Sequence, residues 1–214
     1  TRFIYSWDDY DVFRKIPKNM PNQEVLNNYL RKPIIDTPDT FGCHKSYAKH
    51  NEKEVEDVLP TVGITPEFLY QSKKYRNCEY KEEIKFVLNN KEKVRNILDK
   101  FRKEPLPKDW YPLSVYCEKC NTDDTDVKDY DGNYTVNYLC KCGFEGKADF
   151  RKKGIVKLPW RLDWPMRWHH EKVDFEPGGK EHSTEGGSYS TAQLIIKELY
   201  DEEPPVYQKY DFII

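Results

Sequence analysis

Long apolar runs and a large net charge are both missing from this chain of 214 residues. No stretch approaches the roughly 20 apolar residues that a membrane-spanning helix needs, and no secretory signal pattern opens the chain, so we expect a cytoplasmic protein. A formal net charge of −2 argues against coating nucleic acid through bulk positive charge. A local basic face that binds RNA is still compatible with this composition.

Three familiar catalytic patterns are absent as well. The chain contains no Gly-Lys-Ser/Thr phosphate loop, no Gly-x-Ser-x-Gly elbow and no His-Glu-x-x-His helix. The chain has only six cysteines, and without a secretory signal they do not suggest a disulfide scaffold. The function must therefore come from other motifs.

Four of the six cysteines form two short pairs with 19 residues between them. They are Cys117, Cys120, Cys140 and Cys142. Each pair follows a strand-like run, and the Asp131-Gly132 dipeptide between them is a hairpin turn signal. This layout is typical of a zinc ribbon whose four thiolates hold a structural ion. Two disulfides or free thiols are the alternatives, and the lack of a secretory signal disfavours them.

The segment from Lys157 to Tyr189 concentrates chemistry, with three of the five tryptophans, three of the five histidines and two Gly-Gly pairs in 33 residues. Pro159 and Pro165 interrupt the tryptophan repeat there and predict a bent, aromatic loop instead of a helix. An extended run over 173–175 and a helix that begins at 186–188 are expected to follow. Such an order offers a place for a phosphate-bearing ligand.

Other segments are less specific. A strand over Phe3 to Trp7 precedes an acidic cluster at 8–11, which is either a solvated turn and helix cap or a set of carboxylates for a cationic group. Pro66 predicts the first position of a helix that runs to Arg76. The pattern over 80–103 predicts one long helix or two abutting ones. Cys43, His44 and His50 have no partner motif, so no metal is assigned to them.

At this point the motifs carry a resemblance to a known family. They are Ser6-Trp7-Asp8-Asp9-Tyr10-Asp11, the run Trp160–Trp168, Gly179-Lys180-Glu181-His182, Gly186-Gly187-Ser188-Tyr189, the cysteine quartet, and Glu203–Tyr207 leading into Tyr210–Ile213. In this order they resemble the class I lysyl-tRNA synthetase family over nearly the whole chain. The related glutamyl and glutaminyl enzymes are similar too.

The resemblance implies an α/β fold, namely an incomplete Rossmann-type class I catalytic domain with an inserted helical and zinc-ribbon connective region. The implied domain ranges are 1–50 for the first part of the core, 51–112 for the helical region, 113–150 for the zinc ribbon, and 151–214 for the second part of the core with the amino-acid and ATP site. Structural Zn²⁺ is the implied cofactor. ATP with Mg²⁺, lysine and tRNA are the implied substrates of a monomeric lysine–tRNA ligase.

The resemblance also implies site residues. The lysine-binding set is Asp8, Trp160, Trp164, His182 and Tyr210, in which Asp8 supplies the wall that faces the tryptophans. The ATP-binding set is Gly179, Glu181, His182, Gly186, Gly187 and Ser188. The chemistry is consistent with lysine, since an alkyl stem favours aromatic walls and an ammonium favours a carboxylate and a π face.

Two departures from the family pattern qualify this expectation. Glu181 stands where the family more often has Asp, which puts the ribose contact in doubt. The signature elements of the His-x-Gly-His and Lys-Met-Ser-Lys-Ser types, which stabilise the transferring phosphate, are not in the chain. We therefore place no catalytic residue within it, expect both ends to continue in a longer protein, and predict that the chain alone does not activate lysine.

Two other functions stay open on the sequence. A class I synthetase for glutamate or glutamine would need a basic group where lysine needs an acidic one. A non-enzymatic zinc-ribbon module would bind RNA with the helical face over 80–103 and would have no small-molecule site near Trp164.

Overall fold

The computed structural model describes residues 1–184 and 186–211, and these divide into two compact units. Unit 1 comprises Thr1–Tyr80 and Val115–Val156, and unit 2 comprises Lys81–Ser114 and Lys157–Ile214. No described helix is both long and apolar enough to cross a membrane. The domain ranges implied by the resemblance are a separate division of the chain and stay a prediction.

The described chain contains both helices and strands. The α-helices are α1 Gln23–Asn27, α2 Tyr47–Val58, α3 Gln71–Arg76, α4 Lys81–Asn89, α5 Lys91–Asp99, α6 Trp160–Glu171 and α7 Ser188–Tyr200. The strands are β1 Ile4–Trp7, β2 Glu67–Tyr70, β3 Ser114–Val115, β4 Thr125–Tyr130, β5 Thr135–Cys140, β6 Glu145–Asp149, β7 Val156–Lys157, β8 Phe175–Gly179 and β9 Val206–Tyr210. Short 3-10 turns occur at Ile34–Asp36, Leu59–Val62 and Lys180–Ser183.

Unit 1 begins with a parallel strand pair. The predicted first strand is confirmed as β1, which pairs with β2 in a register that sets Trp7 opposite Tyr70. The helix predicted to start at Pro66 is wrong, because the Glu-Phe-Leu-Tyr run after it pairs with β1 and the helix α3 starts only at Gln71. Strand pairing here overrides the helical preference that a preceding proline suggests.

The cysteine-containing part of unit 1 is an antiparallel meander, β4–β5–β6. Val136, Tyr138 and Ala148 are buried on one face and form its small core. The predicted hairpin turn is confirmed, since Gly132 has φ +76° and the Asp131 carboxylate accepts the backbone N–H of Asn133 at 2.8 Å. Cys140 and Cys142 lie at the turn between β5 and β6, whereas Cys117 and Cys120 lie in the segment between β3 and β4.

Unit 2 contains two pairs of helices. The segment predicted as one long helix or two is α4 followed by α5, which are separated at Asn90. The bent loop predicted around the tryptophans is wrong, because α6 is helical from Trp160 through Glu171. Pro159 is its N-cap and Pro165 its sixth residue, so the backbone bond lost at Pro165 is the one to Arg161 in the first turn, near the helix end that already has unpaired groups.

The remainder of unit 2 is a β8–α7–β9 crossover. The two strands are parallel, with Phe175 opposite Val206 and Gly179 opposite Tyr210. The predicted helix start is confirmed, since Gly187 is the N-cap of α7, whereas the predicted extended run over 173–175 is observed later, at Phe175–Gly179. A helix that connects parallel strands is the unit from which α/β folds are built.

Candidate functional site

The tryptophans of α6 form a continuous aromatic face because they recur every four residues. Trp160 stacks on Trp164 with ring centroids 5.1 Å apart and an interplanar angle of 19°. Trp164 in turn contacts Trp168 at 5.2 Å. Trp160 is half-buried while the other two are buried, so the outer ring of the row is the accessible one.

His182 closes this aromatic face from the 3-10 turn after β8. Its ring lies 5.4 Å from Trp164 in an edge-on arrangement and 6.4 Å from Trp160. The neighbouring Glu181 is exposed, and its carboxylate lies 3.7 Å from the His182 ring nitrogen. Three residues predicted as lysine-pocket walls are therefore brought together, with an acidic group beside them.

The turn before α7 is built for close backbone approach. Gly186 has φ +71°, and a Cβ on Gly187 would lie 2.6 Å from the carbonyl oxygen of His182. The Arg161 guanidinium donates to the carbonyl of Gly186 and to the hydroxyl of Thr191, both at 3.0 Å. The first N–H groups of the 13-residue helix α7, beginning at Ser188, have no intrahelical acceptor. An anion is favoured at such an end.

Tyr207 is a residue that the sequence interpretation missed. Its ring stacks on Tyr189 with centroids 3.6 Å apart, and its hydroxyl contacts Ser183 Oγ at 2.8 Å and donates to the carbonyl of Gly179 at 3.2 Å. It thus fixes the 3-10 turn that carries His182 against β9 and α7. The alternation of β9 could have indicated that Tyr207 faces inward, but not what it contacts.

Tyr210 and Asp8 are the remaining two residues of the predicted lysine-binding set. Tyr210 is 54% exposed and, by strand alternation, lies on the face of β9 opposite to Tyr207. Asp8 belongs to unit 1, where it directly follows β1 and is half-buried. The structure does not bring Tyr210 to the Trp164 cluster, and the role of Asp8 stays a prediction.

The four cysteines of the meander come together as a metal-type cluster. Their sulfurs lie within 4.8 Å of one another, with Cys117–Cys142 at 3.8 Å and Cys120–Cys140 at 3.6 Å. These separations exclude disulfides, whose sulfurs are about 2.05 Å apart. They are close to the edge of about 3.8 Å expected for a tetrahedron with Zn–S bonds of about 2.3 Å. The donor set therefore fits a zinc ion.

The protonation of these thiols also suits metal capture. Burial opposes ionisation of Cys120, yet hydrogen bonds from the Thr122 hydroxyl and backbone lower its pKa to about 6. Burial raises the pKa of Cys140 to about 12. Without metal, ionisation of Cys120 is thus favoured over that of Cys140, and ion binding must displace the proton of Cys140.

A second group of potential metal ligands was excluded by the sequence interpretation. Asp39 Oδ2 lies 3.3 Å from Cys43 Sγ, which lies 3.2 Å from His44 Nδ1 and 3.1 Å from His50 Nδ1. All four ligand atoms fall within 4.8 Å. The loop over 39–46 and the first turn of α2 bring these side chains together, so the structure supplies the partner that the sequence did not show, while the absence of a metal assignment there stays untested. No sequence motif pointed to Asp39.

Asp39 organises this second cluster. Its carboxylate accepts the backbone N–H groups of Phe41, Cys43 and His44 at 3.0, 3.0 and 2.7 Å. Burial acts in the opposite direction, but these hydrogen bonds lower the pKa of Asp39. The carboxylate is therefore ionised and aimed at the same space as one thiol and two imidazoles, which is a donor set typical of zinc.

Comparison with known proteins settles the family. The sequence model described as "tRNA synthetases class I (K)" matches residues 1–214. The chain belongs to this family. Lysine–tRNA ligases are similar to it at 54% identity over 212 residues in Borrelia garinii subsp. bavariensis, 47% over 214 in Treponema pallidum and 44% over 216 in Pyrococcus horikoshii.

Each of these alignments covers 99% of the chain but only 40% of the relative. This class I synthetase chain thus spans about two fifths of the length of those ligases. The resemblance drawn from the motifs is confirmed at the level of the family. The aromatic face, the glycine turn and the cysteine cluster are accordingly features of a class I synthetase domain with mixed helices and strands.

Proposed function

We propose that this chain provides the lysine- and ATP-binding part of an enzyme that activates lysine and transfers it to tRNA. In that reaction the lysine carboxylate attacks the α-phosphorus of ATP and pyrophosphate leaves. A ribose hydroxyl of tRNA then attacks the carbonyl carbon of the adenylate, and AMP leaves. The observation that carries the proposal is the enclosure of Trp160, Trp164 and His182 beside the glycine-capped start of α7.

The site chemistry supports each half of the substrate pair. The alkyl stem of lysine would lie on the accessible Trp160 ring. An ammonium group is stabilised by a π face and by a carboxylate, which Asp8 is predicted to supply. The glycine turn and the N-terminus of α7 would receive the nucleotide, with Glu181 toward its ribose. Mg²⁺ would accompany the ATP phosphates.

The family also suggests a fold and a setting. We propose a Rossmann-type catalytic domain, supported by the two parallel strand pairs and the β8–α7–β9 crossover, with the cysteine meander as a zinc ribbon inserted in it. Four thiolates leave no open position for water, so zinc there would be structural. A cytoplasmic monomer is the expected form.

We further propose that the Asp39 cluster holds a second ion. Elemental analysis of purified protein is expected to find about two zinc ions per chain, on the basis of two complete four-donor sets. The Cys43→Ser variant should retain one ion and the Cys117→Ser variant should lose the other. A single ion that survives in Cys43→Ser and disappears in Cys117→Ser would refute the second centre.

Lysine-dependent ATP–pyrophosphate exchange by the full-length protein tests the main proposal. Lysine should support exchange and glutamate should not. Trp160→Ala should raise the KM for lysine about tenfold, because a cation–π contact at a partly desolvated site contributes about 0.5 to 2 kcal/mol. Trp110→Ala, a half-buried tryptophan outside this face, is the matched control. Equal effects of the two variants, or activity with glutamate, would overturn the proposal.

A further inference from the structure

Unit 1 contains a loop, residues 31–36, that bonds to the acidic segment following β1. The backbone N–H of Ile35 donates to the carbonyl of Asp9 at 3.0 Å, and that of Ile34 donates to the carbonyl of Asp11 at 2.8 Å. Asp11 N–H closes back onto the carbonyl of Asp8 at 3.0 Å. These hydrogen bonds therefore hold the backbone of the segment that begins at Asp8.

The same loop is also hydrogen-bonded to the first cysteine knuckle, which is the turn over 117–123 that carries Cys117 and Cys120. The Asn121 side chain donates to the Asp36 carboxylate at 2.9 Å, and Asp123 N–H donates to the carbonyl of Arg31 at 2.9 Å. The Arg31 guanidinium lies 2.8 Å from the Asp123 carboxylate. These contacts come from the residues that directly follow Cys120, so the knuckle and the acidic segment are joined through one short loop.

The carboxylate of Asp36 is the branch point of this network. Besides Asn121, it accepts the Arg76 guanidinium at 2.7 Å. That guanidinium lies 5.3 Å from the ring centroid of Tyr10, a buried residue of the acidic segment. The Asp36 side chain thus contacts both the knuckle and the end of α3, and through Arg76 it is linked to Tyr10, two residues after Asp8.

Backbone hydrogen bonds close the knuckle, from Cys117 N–H to the carbonyl of Thr122 at 2.9 Å and from Asn121 N–H to the carbonyl of Cys117 at 2.8 Å. Asn121 has φ +60°, a left-handed conformation that asparagine adopts more readily than most non-glycine residues but that still needs support from its surroundings. Coordination of the thiolates at 117, 120, 140 and 142 would impose it, because structural metal binding is coupled to local folding. Loss of the ion would release Asn121 and with it the contact to Asp36.

We propose that a metal ion bound by the four cysteines positions Asp8 for amino-acid binding. Asp36 is the positioning residue through which binding of the ion affects the segment after β1. The proposal rests on the proposed function for the role of Asp8. It requires no contact of zinc with substrate. Metal loading would change lysine binding and leave ATP binding as it is.

Amide hydrogen exchange tests the physical link without reference to activity. In the zinc-loaded protein, the amides of Ile34 and Ile35 should exchange slowly, and chelation should speed them about tenfold, the effect of losing one charge-assisted hydrogen bond. Asp36→Asn and Asn121→Ala should do the same while zinc stays bound. Asp149→Asn, which removes an exposed ion pair with Arg151 from the end of the meander, should leave both amides protected.

The steady-state constants of the full-length protein test the link to function. Asp36→Asn should raise the KM for lysine about tenfold with the KM for ATP and the zinc content unchanged, and Asp36→Glu should restore part of the affinity. If Asp36→Asn fails to fold, Asn121→Ala carries the same expectation.

Two results would overturn the proposal. The first is that neither chelation nor Asn121→Ala changes the exchange of the loop amides. That result would refute the link between the metal centre and the loop, independently of enzyme activity. The second is a lysine KM that does not respond although the loop amides do. If the unsubstituted protein instead shows no lysine-dependent exchange at all, the proposed function fails while the metal-to-loop link is still judged by hydrogen exchange.

Discussion

Replacing Asp163 by asparagine should destabilise unit 2 severely. Asp163 is fully buried in α6, and its carboxylate accepts the guanidinium of Arg167 one turn later. The ammonium of Lys157 lies 3.8 Å from it. The side chains of the two cations are only 8% and 7% exposed. One carboxylate therefore supplies counter-charge to two cations that have little access to water.

The expected magnitude follows from that burial. Asparagine has nearly the same shape, so Asp163→Asn leaves no cavity and removes only the negative charge. Breaking a buried ion pair by removing one partner costs about 3 to 5 kcal/mol, since the remaining charge loses counter-charge in a poorly solvated place. A cost of that size is a large fraction of the stability of about 5 to 15 kcal/mol that is typical of a folded domain.

Urea unfolding followed by tryptophan fluorescence measures this cost, because three of the five tryptophans are on α6. Asp149→Asn is the matched control: it breaks an aspartate–arginine pair on the surface of unit 1, where solvent screening makes such pairs weak. Arg167→Met in the Asp163→Asn background should recover part of the loss, as a double-mutant cycle. Equal costs for Asp163→Asn and Asp149→Asn would refute this account of the buried charges.

Three further outcomes are expected. Chelation of zinc should unfold residues 115–156, which include the meander, before the helices of unit 2, as hydrogen exchange or circular dichroism would show. Simultaneous unfolding of this segment and the unit 2 helices would contradict a local role for the ion. Gly187→Ala should raise the KM for ATP about ten- to hundredfold, because its Cβ would lie 2.6 Å from a backbone oxygen of His182 and shift the turn; an unchanged KM would remove the turn from the nucleotide site. Glu83→Gln should flatten the loss of stability in acid: although burial opposes it, the hydrogen bond with His170 lowers the pKa of Glu83, so its contribution is present above the unfolded pKa of about 4.3 and disappears as pH falls through the folded pKa. Unfolding curves measured between about pH 2 and 7 test the direction of this pH dependence.

Signals that act over a few residues were read correctly from the sequence. The cysteine spacing, the Asp131-Gly132 turn and the start of α7 at Gly187 each depend on the conformational preference of one or two residues, and the structure has all three. Over 80–103 the sequence left one long helix or two open, and the structure decides for two, separated at Asn90. Local backbone preference decides such features before any tertiary contact forms.

Segments whose preference was ambiguous were read wrongly. Prolines predicted a loop where α6 forms, because burial of Leu162, Trp164, Met166 and Trp168 outweighs one lost hydrogen bond at Pro165. The run after Pro66 became a strand because β1 was available to pair with it. In both cases a partner distant in sequence supplied the deciding free energy.

The sequence by itself determined the family, the cysteine quartet and the residues of the aromatic face, since these are matters of residue type, order and spacing. Only the tertiary structure decided that Asp39 joins Cys43, His44 and His50, that Tyr207 supports the turn of His182, and that Asp36 links a cysteine knuckle to the segment after β1. Each of these depends on side chains from separate segments meeting within hydrogen-bond distance. Chain folding, and no local preference, sets those distances.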